Sequence, residues 1–159
     1  MAGALAIHRT QILPEWVDYN GHLRDAYYVA IASLATDSLM DRLGIDAAYR
    51  ARTRRTLYTL EAHVHYFHEV KQADLVEVTV RIIGSDDKRI HAGFELNCAR
   101  LSEPAASIEF MLLHVEQAAT VGARPFPPEI AQALAKVAAL TSGAPPPRRG
   151  SRKMELMGR

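Results

Sequence analysis

Four residues with chemical potential stand close together near the start of the chain, within PEWVDYNGHLRDAYYVAI at positions 14–31. They are Asp18, Asn20, Gly21 and His22. Turn geometry accounts for an Asn-Gly pair, but it does not require a carboxylate on one side and an imidazole on the other. A carboxylate in such a loop can attack a carbonyl carbon or remove a proton from water.

The residues that follow this loop have the pattern of a long amphipathic helix. Apolar residues recur at intervals of three and four from Ala26 to Leu43, with Asp25 as the predicted cap and Gly44 as the predicted end. Unpaired N–H groups at a helix start favour negative charge and stabilise an oxyanion. Beside such a helix start, Asp18 indicates acyl transfer to water.

Five segments predicted to be β-strands would form the sheet that holds this loop and helix in place. The segments that read as strands are residues 5–13, 56–70, 74–84, 88–101 and 106–117. Separators of hairpin length join the last four of these strands. A short helical turn is predicted at 45–53, and a C-terminal helix within 123–140. One strand and a long helix before a run of antiparallel strands predict an α+β domain with the helix packed on the sheet.

Composition limits the domain count and the class of protein. The chain has 159 residues, of which 48% are hydrophobic, which fits one domain over residues 1–140. Residues 141–159 are rich in Pro, Gly and basic side chains and predict a flexible basic tail.

The charge, the cysteine count and the hydropathy exclude several partners. A formal net charge of +1 argues against a general nucleic-acid binder. Cys98 is the one cysteine of the sequence, so no internal disulfide can form, and we expect it to be buried. No apolar run approaches the roughly 20 residues of a membrane span, and the start lacks a signal-peptide pattern. We therefore expect a cytoplasmic protein with no membrane and no nucleic-acid partner.

The run VDYNGHLRDAYY, followed by a helix and then strands, resembles the hot-dog-fold acyl-CoA thioesterases of the 4-hydroxybenzoyl-CoA thioesterase type. The resemblance covers roughly residues 5–118. It implies a long central helix wrapped by a five- or six-stranded antiparallel sheet. It also implies homo-oligomers, dimers or tetramers, in which sheets join edge to edge. The implied activity is hydrolysis of an acyl-CoA substrate without a metal or a cofactor.

The resemblance also assigns roles to the residues of the loop. Asp18 matches the catalytic carboxylate, acting either as a nucleophile or as a general base. Gly21 and His22 match the positions that approach the thioester carbonyl at the helix start, and Asn20 is placed to orient the carbonyl or the water. One departure is Arg24, which stands where many relatives have Asn.

A closer similarity links this chain to the betainyl-CoA thioesterases of carnitine breakdown. It rests on PEWVDYNGH, LYTLEAH, DDKRIH and MLLHV. A trimethylammonium group binds aromatic faces, each contact being worth roughly 0.5–2 kcal/mol. The candidate walls are Trp16, Tyr19, Tyr27, Tyr58 and Tyr66. Glu61 is the candidate counter-charge, whereas core packing is the alternative role for Tyr27, Tyr58 and Tyr66.

Two further groups allow more than one interpretation. Lys88 and Arg89 either meet the CoA phosphates or form an ordinary charged hairpin turn. Glu61, His63 and His65 alternate along a strand, and two such histidines can ligate zinc. We favour a polar strand face for these three residues and expect no metal.

Other activities and another carboxylate remain open from the sequence alone. A hot-dog enoyl-CoA hydratase would place a carboxylate and a histidine over an alkene, which Asp18 and His22 imitate weakly. A non-catalytic CoA-ligand-binding module would retain the fold and lack turnover. Asp37, inside the predicted helix, is the reserve catalytic carboxylate if Asp18 has no chemical role.

Overall fold

An antiparallel sheet wrapped around one long helix forms the framework of the protein, in a computed structural model that describes residues 3–146 and residue 150. The elements in chain order are β1 (Leu5–Gln11), a 3-10 turn (Pro14–Trp16), α1 (Asp25–Leu43), α2 (Ala47–Thr53), β2 (Arg55–Tyr66), β3 (Leu75–Ser85), β4 (Arg89–Cys98), β5 (Ala106–Gln117), β6 (Val121–Ala123) and α3 (Pro128–Thr141). The predicted α+β architecture with antiparallel strands is confirmed.

The strands lie in the order β1-β3-β4-β5-β2, with the short β6 also paired to β5. Alternating side chains bury one face of the sheet, as Ile90, Ala92, Phe94 and Leu96 of β4 illustrate. This face meets the apolar stripe of α1, and the two together form the core. β2 lies at one end of the order, so one of its edges faces away from the sheet.

α1 begins one residue earlier than the cap prediction required. Asp25 is its first helical residue, and Arg24 occupies the N-cap position without making a side-chain capping bond. The prediction of Asp25 as the cap was therefore wrong. The predicted end at Gly44 is correct, because this residue has φ = +85° and closes the helix in the left-handed conformation.

Other boundaries differ where local chemistry overrides the apolar pattern. β2 ends at Tyr66 rather than near residue 70, and α3 begins at Pro128, within the predicted segment 123–140, and ends one residue beyond it. The run Arg-Pro-Phe-Pro-Pro explains the late start of α3, since a residue before proline favours extended backbone. β6, just before this run, was not predicted. The short helix α2 was predicted, and Asp46 caps it by accepting from the N–H of Tyr49 (2.8 Å).

The cysteine and the C-terminal end of the domain can also be compared with the sequence predictions. Cys98 is buried, as expected. α3 ends at Thr141, and residues 147–149 and 151–159 of the predicted tail lie outside the described residues. Across the described part of the chain, no helix has the length and hydropathy needed to cross a membrane.

Candidate active site

The residues singled out by type and spacing lie in a tight loop between β1 and α1, here called the Asp18 loop (residues 17–23). The N–H of Asp18 donates to the carbonyl oxygen of His22 (2.9 Å), and the N–H of Gly21 donates to that of Asp18 (3.0 Å). Gly21 has φ = +74°, a conformation that a residue without a Cβ adopts readily. The Asn-Gly pair thus makes the turn that its sequence predicts.

The carboxylate of Asp18 braces this turn from inside. Its Oδ1 accepts from the N–H of Asn20 (2.8 Å) and from the N–H of His22 (3.3 Å), as in an Asx turn. Partial desolvation raises the pKa of Asp18, but these two N–H groups and the nearby His22 outweigh it, so the pKa lies below its ordinary value. Asp18 is therefore ionised at neutral pH, the form that attacks a carbonyl or accepts a proton.

The Asp18 loop is anchored to residues 69–72, which connect β2 to β3. The N–H of Leu23 donates to the carbonyl oxygen of Val70 (2.8 Å). The Nε2 atom of His22 lies 3.3 Å from Oε2 of Glu69, so the imidazole is directed at this glutamate. The connection between β2 and β3 therefore fixes the position of the Asp18 loop and the orientation of the His22 imidazole.

The start of α1 leaves one backbone N–H group open beside the loop. The N–H of Ala26 donates to Oδ1 of Asp25 (2.9 Å), and the N–H of Tyr27 donates to the carbonyl oxygen of Arg24 (3.0 Å). Among the described residues, none accepts a hydrogen bond from the N–H of Asp25. Because the positive end of the helix dipole lies at the same place, this N–H suits an oxygen that gains negative charge.

The backbone N–H groups of Gly21 and His22 are engaged differently from what the resemblance implies. Both donate to Asp18 itself, one to its carbonyl oxygen and one to its carboxylate. Arg24, the departure from the family pattern, donates from Nε to the carbonyl oxygen of Val17 (3.3 Å). Its side chain thereby ties the helix start to the first residue of the loop.

Three of the predicted substrate-binding aromatics lie around the Asp18 loop. Trp16 and Tyr27 stack on each other, with ring centroids 5.6 Å apart and planes inclined by 20°. Tyr19, at the tip of the loop, is 94% exposed. The stacked pair supports the entry to α1, whereas Tyr19 is open to solvent.

Four other predicted substrate-binding residues lie elsewhere within one chain. Tyr58 accepts from Nε2 of Gln117 (3.0 Å) and is eight residues from the loop-facing end of β2, about 26 Å along an extended strand. Glu61 is exposed near the middle of β2 and contacts His63. Lys88 and Arg89 lie at the hairpin between β3 and β4. A single chain therefore does not bring these four residues to the Asp18 loop.

The Lys88–Arg89 turn is organised around Asp86. Oδ2 of this aspartate lies 2.6 Å from the Arg89 guanidinium, and Oδ1 accepts from the N–H groups of Lys88 (3.0 Å) and Arg89 (2.7 Å). These contacts, the Arg89 side chain first, lower the pKa of Asp86 to about 2. The charged-turn interpretation thus has a geometric basis.

A cleft of about 270 Å³ opens beside the start of α1, and we call it the Tyr66 cleft. It is lined by Leu23, Asp25, Tyr28, Tyr66, Phe67, His68 and Glu69. Tyr66 was among the predicted aromatic walls, but Asp25, Phe67 and Glu69 were missed. Asp25 was assigned only as a helix cap, and no motif marks Phe67 or Glu69, because these two residues reach the loop through the β2–β3 connection rather than through neighbouring sequence.

A second cleft, of about 180 Å³, lies on the outer face of the sheet. It contains two close pairs, His91 with Glu109 (2.6 Å) and His63 with Glu61 (2.7 Å). Within the residues that the structure describes, no group of three or more His, Cys, Asp or Glu side chains is arranged to hold a metal ion. The alternation seen in EAHVH thus places polar side chains on this outer face.

The fold and the loop define a known family. Residues 12–134 match the Thioesterase-like superfamily, and the chain belongs to it. Betainyl-CoA thioesterase from Pseudomonas aeruginosa is 44% identical over 140 residues, which are 88% of this chain and 86% of that protein. The predicted membership of a hot-dog thioesterase family is confirmed.

Solved structures agree with this assignment over nearly the whole chain. A candidate thioesterase from Pseudomonas putida KT2440 is 42% identical, with a TM-score of 0.86 and 98% coverage of both chains. A protein from Staphylococcus aureus in complex with CoA is 25% identical, with a TM-score of 0.89 and the same coverage. The predicted hot-dog fold is confirmed.

The left-handed conformation of Gly21 generates a prediction about loop stability. Gly21→Ala should lower the free energy of unfolding by about 1 kcal/mol, because a Cβ disfavours this backbone conformation. An added Cβ would meet no atom within 4 Å, so the loss would be conformational. Urea unfolding of the variant and of the wild type measures it.

Gly84→Ala is the matched control for this prediction. A Cβ at Gly84 also meets nothing within 4 Å, and Gly84 has no positive φ. We expect a change of about 0.5 kcal/mol or less. Equal effects of the two substitutions would contradict the claim that the turn requires glycine at position 21.

Proposed function

We propose that this chain is an acyl-CoA thioesterase that hydrolyses betainyl-CoA to the free acid and CoA. The observation that carries the proposal is the ionised carboxylate of Asp18, held by two backbone N–H groups in the loop that leads into the start of α1. Membership of the thioesterase family and 44% identity to a betainyl-CoA thioesterase support the reaction and the acyl group. Asn20, Gly21 and His22 hold the turn in which Asp18 acts.

The thioester carbonyl oxygen binds at the N–H of Asp25, where the helix dipole stabilises the oxyanion. In one route, Asp18 attacks the carbonyl carbon, the C–S bond breaks and CoA leaves as a thiolate. Water then hydrolyses the resulting mixed anhydride to the acid. In the other route, Asp18 takes a proton from water as the water attacks, and the tetrahedral intermediate expels CoA directly. Both routes need Asp18 as a carboxylate.

The charged turn at the start of β4 is the proposed contact for the phosphates of CoA. Arg89 lines a cleft of about 310 Å³ together with neighbours in the β3–β4 hairpin. Its guanidinium can exchange Asp86 for a phosphate, and Lys88 adds a second positive charge. A CoA complex of a structural relative supports a CoA-binding role for this fold.

The outer edge of β2 is the proposed surface for a second copy of the chain. The five consecutive residues 58–62 are all exposed, although successive side chains of a strand point to opposite faces. Among these five residues, the apolar Leu60 is 56% exposed. An open edge with apolar side chains is a site for strand pairing, so we propose a dimer in which two copies of β2 pair. Glu61 and Tyr58 then lie at the interface.

Replacing the reacting carboxylate tests the proposed chemistry. Asp18→Asn should lower kcat/KM for betainyl-CoA by about a hundredfold or more, because the nucleophile or base is lost. The amide oxygen can still accept from the N–H groups of Asn20 and His22, so the loop should remain folded. Thiol release measures the rate, and thermal unfolding checks the fold.

Asp37→Asn provides the control, because Asp37 is an exposed carboxylate within α1. It should retain the wild-type rate. A folded Asp18→Asn variant with wild-type activity, or a loss of activity in Asp37→Asn instead, would contradict the assignment of Asp18.

The dimer proposal is tested by charging the exposed edge. Leu60→Asp should weaken dimerisation by about tenfold or more, because it places a carboxylate between the paired strands. Light scattering during size exclusion measures the mass across a concentration series. Leu140→Asp is the control, because Leu140 is 54% exposed on α3. A monomeric wild type, or equal effects of both substitutions, would rule out this interface.

A further inference from the structure

The reach of a betainyl group restricts where its positive charge can lie. One methylene separates the carbonyl carbon from the quaternary nitrogen, so the cation must sit next to the place where the carbonyl oxygen binds. Asp25 offers the open N–H for that oxygen and also lines the Tyr66 cleft. Tyr58, at the opposite end of β2, is too far away within the same chain.

The aromatic wall of this cleft is rigid. Tyr66 is half exposed, and its ring centroid lies 5.2 Å from that of Tyr28, with the planes at 87°. Its hydroxyl donates to the carbonyl oxygen of Asp25 (3.1 Å). The hydroxyl of Tyr28 donates to the carbonyl oxygen of His68 and accepts from the N–H of Val70, each at 3.3 Å. Both rings are therefore held before any ligand enters.

The carboxylates around the cleft make its field negative. Burial is the main cause that raises the pKa of Tyr66, and the Asp25 carboxylate raises it further. Burial likewise raises the pKa of Tyr28, and Glu69 adds to this effect. Burial opposes a charge of either sign, and Arg100 acts against Glu69 at Tyr28, but the carboxylates of Asp25 and Glu69 act in the direction that favours a bound cation.

Two positively charged or basic side chains near the cleft, Arg100 and His22, already have partners in the protein. The guanidinium of Arg100 contacts the carboxylate of Asp74 and the carbonyl oxygen of Glu69, each at 2.9 Å. His22 contacts one oxygen of the Glu69 carboxylate at 3.3 Å. The side chain of Glu69 is nevertheless 72% exposed. Glu69 can therefore face a cation while it holds the histidine of the Asp18 loop.

We propose that the Tyr66 cleft binds the trimethylammonium group of the acyl chain, with Tyr66 as its aromatic face and Glu69 and Asp25 as its counter-charges. A quaternary ammonium donates no hydrogen bond, so an aromatic face with nearby carboxylates is the chemistry that recognises it. This inference rests on the proposed function and adds the residues that select the acyl group. It replaces Glu61 as the counter-charge expected from the sequence.

A neutral isostere separates charge recognition from shape. 3,3-Dimethylbutyryl-CoA has a carbon atom where betainyl-CoA has the quaternary nitrogen, and it is otherwise matched in shape. The measured quantity is the preference, the ratio of kcat/KM for betainyl-CoA to kcat/KM for the isostere. We expect the wild type to prefer betainyl-CoA by about tenfold or more.

Three variants locate the source of this preference. Glu69→Gln and Tyr66→Leu should each lower it about tenfold, through loss of a charge and of an aromatic face. Tyr66→Phe keeps the ring and should keep most of the preference. Glu77→Gln, on β3 and paired with Arg9, is the matched charge control and should leave the preference unchanged.

The outcomes distinguish this inference from the proposed function. If the wild type cleaves neither thioester, the proposed function fails and the inference with it. If it cleaves both equally well, thioesterase activity stands and recognition of the cation is overturned. If it prefers betainyl-CoA but Glu69→Gln and Tyr66→Leu keep that preference, the reaction stands and the cation binds at another site.

Discussion

The two hydrogen bonds that the Asp18 carboxylate accepts from the N–H groups of Asn20 and His22 hold the site together. They fix the turn, lower the pKa of the carboxylate and engage the N–H groups of Asn20 and His22. The N–H of Asp25, at the positive end of α1, has no acceptor among the described residues. The proposed reacting carboxylate and the proposed oxyanion site thus belong to one stretch of chain, residues 18–25.

The rest of the fold supports this arrangement. α1 is buried along one stripe against the sheet, which fixes its first turn in space. The β2–β3 connection holds the Asp18 loop through Val70 and Glu69 and also forms part of the Tyr66 cleft. The same segment therefore contacts the loop of the proposed reacting carboxylate and lines the proposed acyl pocket.

Local patterns were sufficient to predict much of this structure. The 3.6-residue period of apolar residues predicted α1, the Asn-Gly pair predicted the turn, and the alternation of apolar and polar residues predicted the strands. Family resemblance selected the thioesterase interpretation over a hydratase or a binding module. The cap at Asp25 was predicted wrongly because an acidic first residue and an N-cap look alike in sequence. Contacts between distant segments left no such signal, so Glu69 and the cleft at Tyr66 were missed.

A crystal structure of the Asp18→Asn variant with uncleaved betainyl-CoA would locate the thioester relative to the start of α1. We expect the thioester carbonyl oxygen about 3 Å from the N–H of Asp25, with the side chain of residue 18 facing the carbonyl carbon. A thioester carbonyl bound away from the start of α1, with residue 18 out of reach of the carbonyl carbon, would contradict this expectation.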